Sequence, residues 1–102
     1  MNYISCIIQV LEIPEIMLYN NSIPMVIFRT KLPYVRNRIG PVIIVKSVIW
    51  GNLAYDFINY YSVNDYILIE GYVSTSLNDT INPLEINIIK FYPFLLQIER
   101  ID

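Results

Sequence analysis

Five of the seven basic residues, Arg29, Lys31, Arg36, Arg38 and Lys46, fall in one stretch that contains no Asp or Glu. That stretch carries +5 and the rest of the chain −7, within a net charge of −2. A cationic patch on an acidic protein steers an anionic partner to one place, whereas the acidic total argues against general nucleic-acid binding. The plainer alternative is a solvated loop with a few charges, because Pro33, Gly40 and Pro41 mark an irregular connection. Other chemistry lacks its parts. Histidine is absent and Cys6 is the single cysteine, so no imidazole base, Cys/His nucleophile or ordinary zinc site can be assembled. The nine carboxylates show no paired spacing, and no glycine-rich phosphate motif occurs. The chain is therefore expected to be no enzyme and to need no metal, cofactor or small-molecule substrate.

With 102 residues the chain makes one domain, residues 1–102, whose core can be of only modest size. Hydrophobic residues form 55% of it, more than a small monomer usually hides, which points to a buried subunit interface. The excess of Ile, Asn and Tyr is equally what an AT-rich genome produces. Gln9, Glu12, Lys46, Asp56 and Glu70 interrupt the apolar runs, so none approaches the ~18 residues of a membrane helix. No Lys or Arg precedes the first apolar stretch, and the Arg- and Ser-rich composition of a transit peptide is missing. The expectation is a protein that acts in the compartment where it is made. Cys6, among strand-like neighbours, reads as a small buried hydrophobe.

The elements that must carry the cations are mostly strands. "NYISCIIQVLEI" alternates loosely, with Ile4, Cys6, Ile8 and Val10 on one face and Ile7 and Leu11 on the other, so both faces look buried and pairing across a subunit boundary is expected. "PEIMLYNNSIP" reads as turn-rich, "MVIFRTKL" as the second strand, "PYVRNRIGP" as a loop and "VIIVKSVIW" as the third strand. Period-2 geometry puts Ile44, Lys46, Val48 and Trp50 on one face of that strand, and Ile43, Val45, Ser47 and Ile49 on the other. Lys46 is costly to bury unpaired, so its face is the exposed one and the second face holds the core. Leu53, Phe57, Tyr60 and Tyr61 then follow at helical spacing, with Asn52 as the expected cap. "YILIEGYVST" is the fourth strand, with Ile67, Ile69, Gly71 and Val73 inward, and "LEINIIKFYPF" is the fifth. Gly71 would permit the bend a small closed barrel needs. The predicted fold is all-β: a five-stranded OB-fold barrel with one short helix between strands 3 and 4, a core of about residues 3–94 and a short C-terminal tail, 95–102.

"WGNLAYDFINYYSVNDYILIEGYV" resembles the centre of the single-stranded DNA-binding protein (SSB) family. The matching residues are Trp50, Gly51, Asn52, Leu53 and Ala54 at the helix start, and Leu68, Ile69, Glu70 and Gly71 in the strand after it. Pro14, Glu15, Tyr19 and Phe28 match the family between its first two strands, and the likeness covers about residues 3–94. "WGNLA" and "INIIKFYPF" look closest to the short SSB-like reading frame of red-algal-type plastid genomes and cyanobacteria. The resemblance implies a plastid-encoded protein of the chloroplast stroma, serving plastid DNA replication or maintenance.

The resemblance also implies that Trp50, at the end of the third strand, lies where bases stack, and that Lys46 holds a place where the family often has a cation. Stacking on one aromatic contributes ~1 to 3 kcal/mol per base and tolerates any sequence. A purely structural Trp50, covering the start of the helix, is the alternative. Departures from the bacterial pattern are Ile44 for a stacking tryptophan, Tyr72 for an arginine, Leu18 for another arginine, the missing aromatic in "STSLND", and the missing acidic tail that recruits partners.

Two readings follow. The first is sequence-independent binding of single-stranded DNA, with RNA left open, through Trp50 and Tyr34 for stacking and Arg29, Lys31, Arg36, Arg38 and Lys46 for phosphates. A single barrel with so few contacts binds weakly, so a homodimer or homotetramer through the first strand belongs to this reading. The second is an OB barrel that has lost nucleic-acid affinity and serves as a protein-interaction or assembly subunit.

Overall fold

The computed structural model describes residues 2–32, 42–75 and 84–94. In chain order the elements are β1 (Asn2–Val10), β2 (Ile16–Tyr19), β3 (Ile23–Leu32), β4 (Ile43–Trp50), α1 (Asn52–Tyr60), β5 (Tyr66–Thr75) and β6 (Leu84–Pro93). The sheet runs β1-β5-β6-β4-β3-β2 and is closed by a further pairing of β1 with β3. Five of these strands, β1, β3, β4, β5 and β6, form the expected closed barrel, with α1 between its third and fourth members. The closure is short. Gln9 opposes Lys31 and Val10 opposes Thr30, and the Leu11 N–H donates to the Arg29 carbonyl at 2.9 Å.

Alternation fills the interior. Ile8 and Val10 of β1, Val26 and Phe28 of β3, Val45 and Ile49 of β4, Ile67 and Ile69 of β5, and Ile86 and Ile88 of β6 are all buried. Successive strand residues point to opposite faces, so each strand contributes every second side chain to one core. α1 closes one end of it. Phe57 stacks on Phe28 at 4.8 Å and meets Phe91 edge to face at 5.3 Å. Two hydroxyls share this interior: Ser47 and Thr30 lie 2.9 Å apart, and Thr30 donates to the Val45 carbonyl at 3.3 Å. Their mutual bond satisfies groups that would otherwise be costly to bury.

Several expectations need correction. The segment read as turn-rich contains β2, which pairs antiparallel with β3 from Ile16 opposite Val26 to Tyr19 opposite Ile23. Asn20 and Asn21 take positive φ between the two strands, and the Ser22 N–H closes the turn on the Tyr19 carbonyl at 3.1 Å. Asparagine tolerates that left-handed backbone better than most residues. The helix is capped by Gly51, not Asn52, and no side chain caps it. Its inner face is consequently Leu53, Ala54, Phe57, Ile58 and Tyr61, and Tyr60 is left 76% exposed. Ile43, placed in the core by alternation, is exposed at the mouth of the barrel beside its register partner Leu32. The outer face of β1 is only half covered, with Tyr3 and Ser5 exposed.

Gly71 is required by a close approach. A Cβ there would sit 2.3 Å from the Asn87 carbonyl oxygen of β6, where the β5–β6 register shifts between Glu70 and Gly71. Between the buried Ile69 and Gly71, alternation places Glu70 on the outside. There Tyr3 and Tyr92 both donate to its carboxylate, and Lys90 stands opposite in register. Burial pushes the Cys6 thiol up to about 11, which disfavours the thiolate. Among the described residues, no helix is long and apolar enough to cross a membrane.

Candidate nucleic-acid interface

The antiparallel register of β3 and β4 decides which side chains share a surface. Met25 opposes Trp50, Ile27 opposes Val48, Arg29 opposes Lys46, and Lys31 opposes Ile44. The alternate residues Val26, Phe28 and Thr30 are buried in the core, so these four pairs form the outer face of the barrel wall. Arg29, Lys31, Lys46 and Trp50 are thereby brought to one surface, as expected. Tyr34, Arg36 and Arg38 lie outside the described residues. From Lys46 to Trp50 is four residues along an extended strand, about 13 Å.

Trp50 ends its strand because Gly51 follows it. Gly51 has φ 75° and ψ −156°, a region open essentially to glycine alone. Its N–H donates to the Pro24 carbonyl at 2.8 Å, and its own carbonyl accepts the Ala54 N–H at 3.0 Å. The chain thus leaves the sheet and enters α1 within one residue, which leaves the indole at the rim with 40% of its surface exposed. Its ring neighbour is Tyr19 of β2, edge to face with centroids 5.4 Å apart.

Arg29 is exposed, and Lys31 and Lys46 are half-buried. Glu12 reaches this surface, where its Oε1 accepts the Arg29 backbone N–H at 2.7 Å. A shallow depression of about 160 Å³ lies among Glu12, Ile27, Arg29, Ile44 and Lys46. On the other side of β4, the parallel strand β6 sets Glu85 beside Lys46 in register. Val48, expected to be exposed with Lys46 and Trp50, is instead buried. It is a short side chain between Ile27 and Asn87 across the strands and between Lys46 and Trp50 along its own.

The arrangement offers an exposed aromatic face at one end and cations at the other, on a wall with apolar ground between them. That combination suits a flexible polyanion with stackable groups. Tyr19 and Glu12 were not singled out for this face from the sequence. The signal for Tyr19 was present in "LYNNS", where two asparagines follow apolar residues as in a tight hairpin.

No protein-family model matches the chain. It is 39% identical to the candidate single-stranded DNA-binding protein ycf41 of Trieres chinensis over 105 aligned positions, which cover 94% of this chain and 91% of that protein. Among solved structures it is similar to the SSB domain of a Synechococcus sp. protein, with a TM-score of 0.73 at 20% identity, covering 90% of this chain and 94% of that one. The small single-stranded DNA-binding protein of Streptomyces coelicolor also superposes with a TM-score of 0.73, at 18% identity over 93% and 96% of the two chains.

Proposed function

Since this chain belongs to the single-stranded DNA-binding protein family, we propose that it binds single-stranded DNA without regard to sequence, through the outer face of β3 and β4. The observation that carries this reading is the register that sets the exposed Trp50 and Arg29 and the half-buried Lys46 on one side of the wall. Bases stack on the indole, and phosphates are neutralised by Arg29, Lys31 and Lys46. Arg36, Arg38 and Tyr34 extend the same role along the connection after β3.

The reading includes self-association through β1. Among the described residues, that strand pairs over Asn2–Ile8 with β5 on one edge, and its pairing with β3 is confined to Gln9 and Val10. A strand edge of this kind is a template for a second chain. Two or four barrels on one strand convert weak single contacts into useful affinity. We place the activity in plastid DNA replication or maintenance, in the stroma; the support is the likeness to ycf41, a gene name of plastid-genome type.

Titration with oligo-dT at low salt tests the proposal. Quenching of Trp50 emission that weakens as salt rises is expected. No quenching up to tens of micromolar oligonucleotide would instead favour an assembly subunit without nucleic-acid affinity.

A further inference from the structure

The hairpin of β2 and β3 carries apolar side chains on the same side as Trp50. Met17 opposes Met25, which is buried, Met25 opposes Trp50, and Tyr19 opposes Ile23. Tyr19 is 49% exposed, and Met17 and Ile23 are exposed beside it. The two rings stand at 83° to one another, so they form a corner and not a flat plate. Each keeps substantial surface in water. Ring pairs whose role is to seal a core are covered, as Phe28 and Phe57 are.

We propose that Tyr19 is the second stacking ring of the interface, and that the Tyr19–Trp50 corner takes the unpaired bases of a single strand. This rests on the nucleic-acid reading above. A base laid on one ring of an edge-to-face pair has its rim over the other ring, where a positive edge meets a π face. Both contacts are open to any base, because each base has such a face. Nucleobases, and not an apolar protein surface, are the occupant because the same wall continues from Trp50 into Lys46, Arg29 and Lys31. Those cations match a phosphate chain attached to the stacked bases.

The test is the affinity of labelled oligo-dT, read by anisotropy, for the full chain and for Tyr19→Ala, Tyr19→Leu, Tyr19→Phe and Trp50→Ala. Tyr19→Phe should bind within about two-fold of the parent, since the ring is kept. Tyr19→Ala and Tyr19→Leu should each bind about 5- to 150-fold more weakly, the loss of one stack. Leucine retains apolar packing against the indole, so parental affinity in Tyr19→Leu would reduce Tyr19 to a prop for Trp50 and overturn the inference. Parental affinity in Tyr19→Ala with weakened Trp50→Ala would also overturn it, leave the nucleic-acid reading standing, and point to a protein surface on the hairpin. Absence of binding by the parent chain would remove both. Thermal melts of each variant identify any loss of fold, and Tyr19→Phe then decides the role of the ring.

Discussion

Arg29 and Lys46 face each other directly across β3 and β4, two like charges in one register position. Such a pair opposes sheet formation by a few tenths of a kcal/mol or more. An anion lying across both would relieve the repulsion, so this like-charged pairing lies where the proposed strand's phosphate would sit.

Replacing either cation by glutamine should therefore weaken oligo-dT binding while leaving the melting temperature unchanged or slightly raised. Full engagement of all five cations corresponds to a log–log salt slope of about −3.5 for a single strand. Arg29→Gln and Lys46→Gln should each make the slope shallower by about 0.7. An unaltered slope in both variants would show that phosphates do not reach this pair.

Trp50→Ala should cost ~1 to 3 kcal/mol of binding, one stack, at little cost to the fold, because the indole lies at the rim. Affinity measured by anisotropy and thermal unfolding measured on the same sample separate the two effects. A collapse of the fold with this substitution would assign the indole to structure.

Gly51→Ala and Gly71→Ala should both destabilise, for different reasons. At Gly51 nothing lies within 4 Å of an added Cβ, and the cost is the backbone conformation, about 1–3 kcal/mol. At Gly71 the Cβ meets the backbone of β6, and the cost of such overpacking is about 1–3 kcal/mol or more. Denaturant melts should rank Gly71→Ala as the more damaging, since no flexible side chain can move aside. Equal stability of Gly71→Ala and the parent would contradict the close approach of β5 and β6.

The buried hydroxyls make a paired prediction. Thr30→Val leaves Ser47 without its partner in the core and should cost about 1–3 kcal/mol. Combining it with Ser47→Ala should recover much of that loss, because both polar groups are then gone. A double variant no more stable than Thr30→Val alone would argue against the bond between them.

Stability should depend on pH through Glu70 and Tyr3. The hydrogen bond from Tyr3, then that from Tyr92, hold the Glu70 carboxyl below its ordinary value of 4.5. A lowered pKa in the fold means stability that is present above 4.5 and is lost as pH falls through the folded value. The same bond to Glu70, with burial second, raises Tyr3 to about 12. That contribution is complete below 10 and is lost as pH rises toward 12. Tyr3→Phe should flatten both limbs of the melting temperature against pH. An unchanged profile would show that the bond does not persist in solution.

The barrel was legible because apolar alternation in β3, β4 and β5 is nearly continuous, and because Trp50-Gly51 breaks the strand where helical spacing begins. β2 was not. Its four residues lie between Pro14 and the asparagine turn, too short a run for period 2 to outweigh the turn signals around it. The site was half legible. Parity within β4 paired Lys46 with Trp50 from the sequence alone, but Arg29 opposite Lys46, Glu85 beside it and Tyr19 against Trp50 are set by registers between strands far apart in the chain. The burial of Val48 has the same origin, since it depends on the lengths of neighbours across two strands.

The short closure between β1 and β3 has a dynamic consequence. With two residue pairs and the Leu11 amide to hold it, this seam should breathe before the long β5–β6 ladder does. Arg29 is stitched into it by both backbone groups, its carbonyl to Leu11 and its amide to Glu12. A bound strand that immobilises Arg29 therefore also clasps the seam, and slowed deuterium uptake at Leu11 and Arg29 becomes a built-in gauge of occupancy.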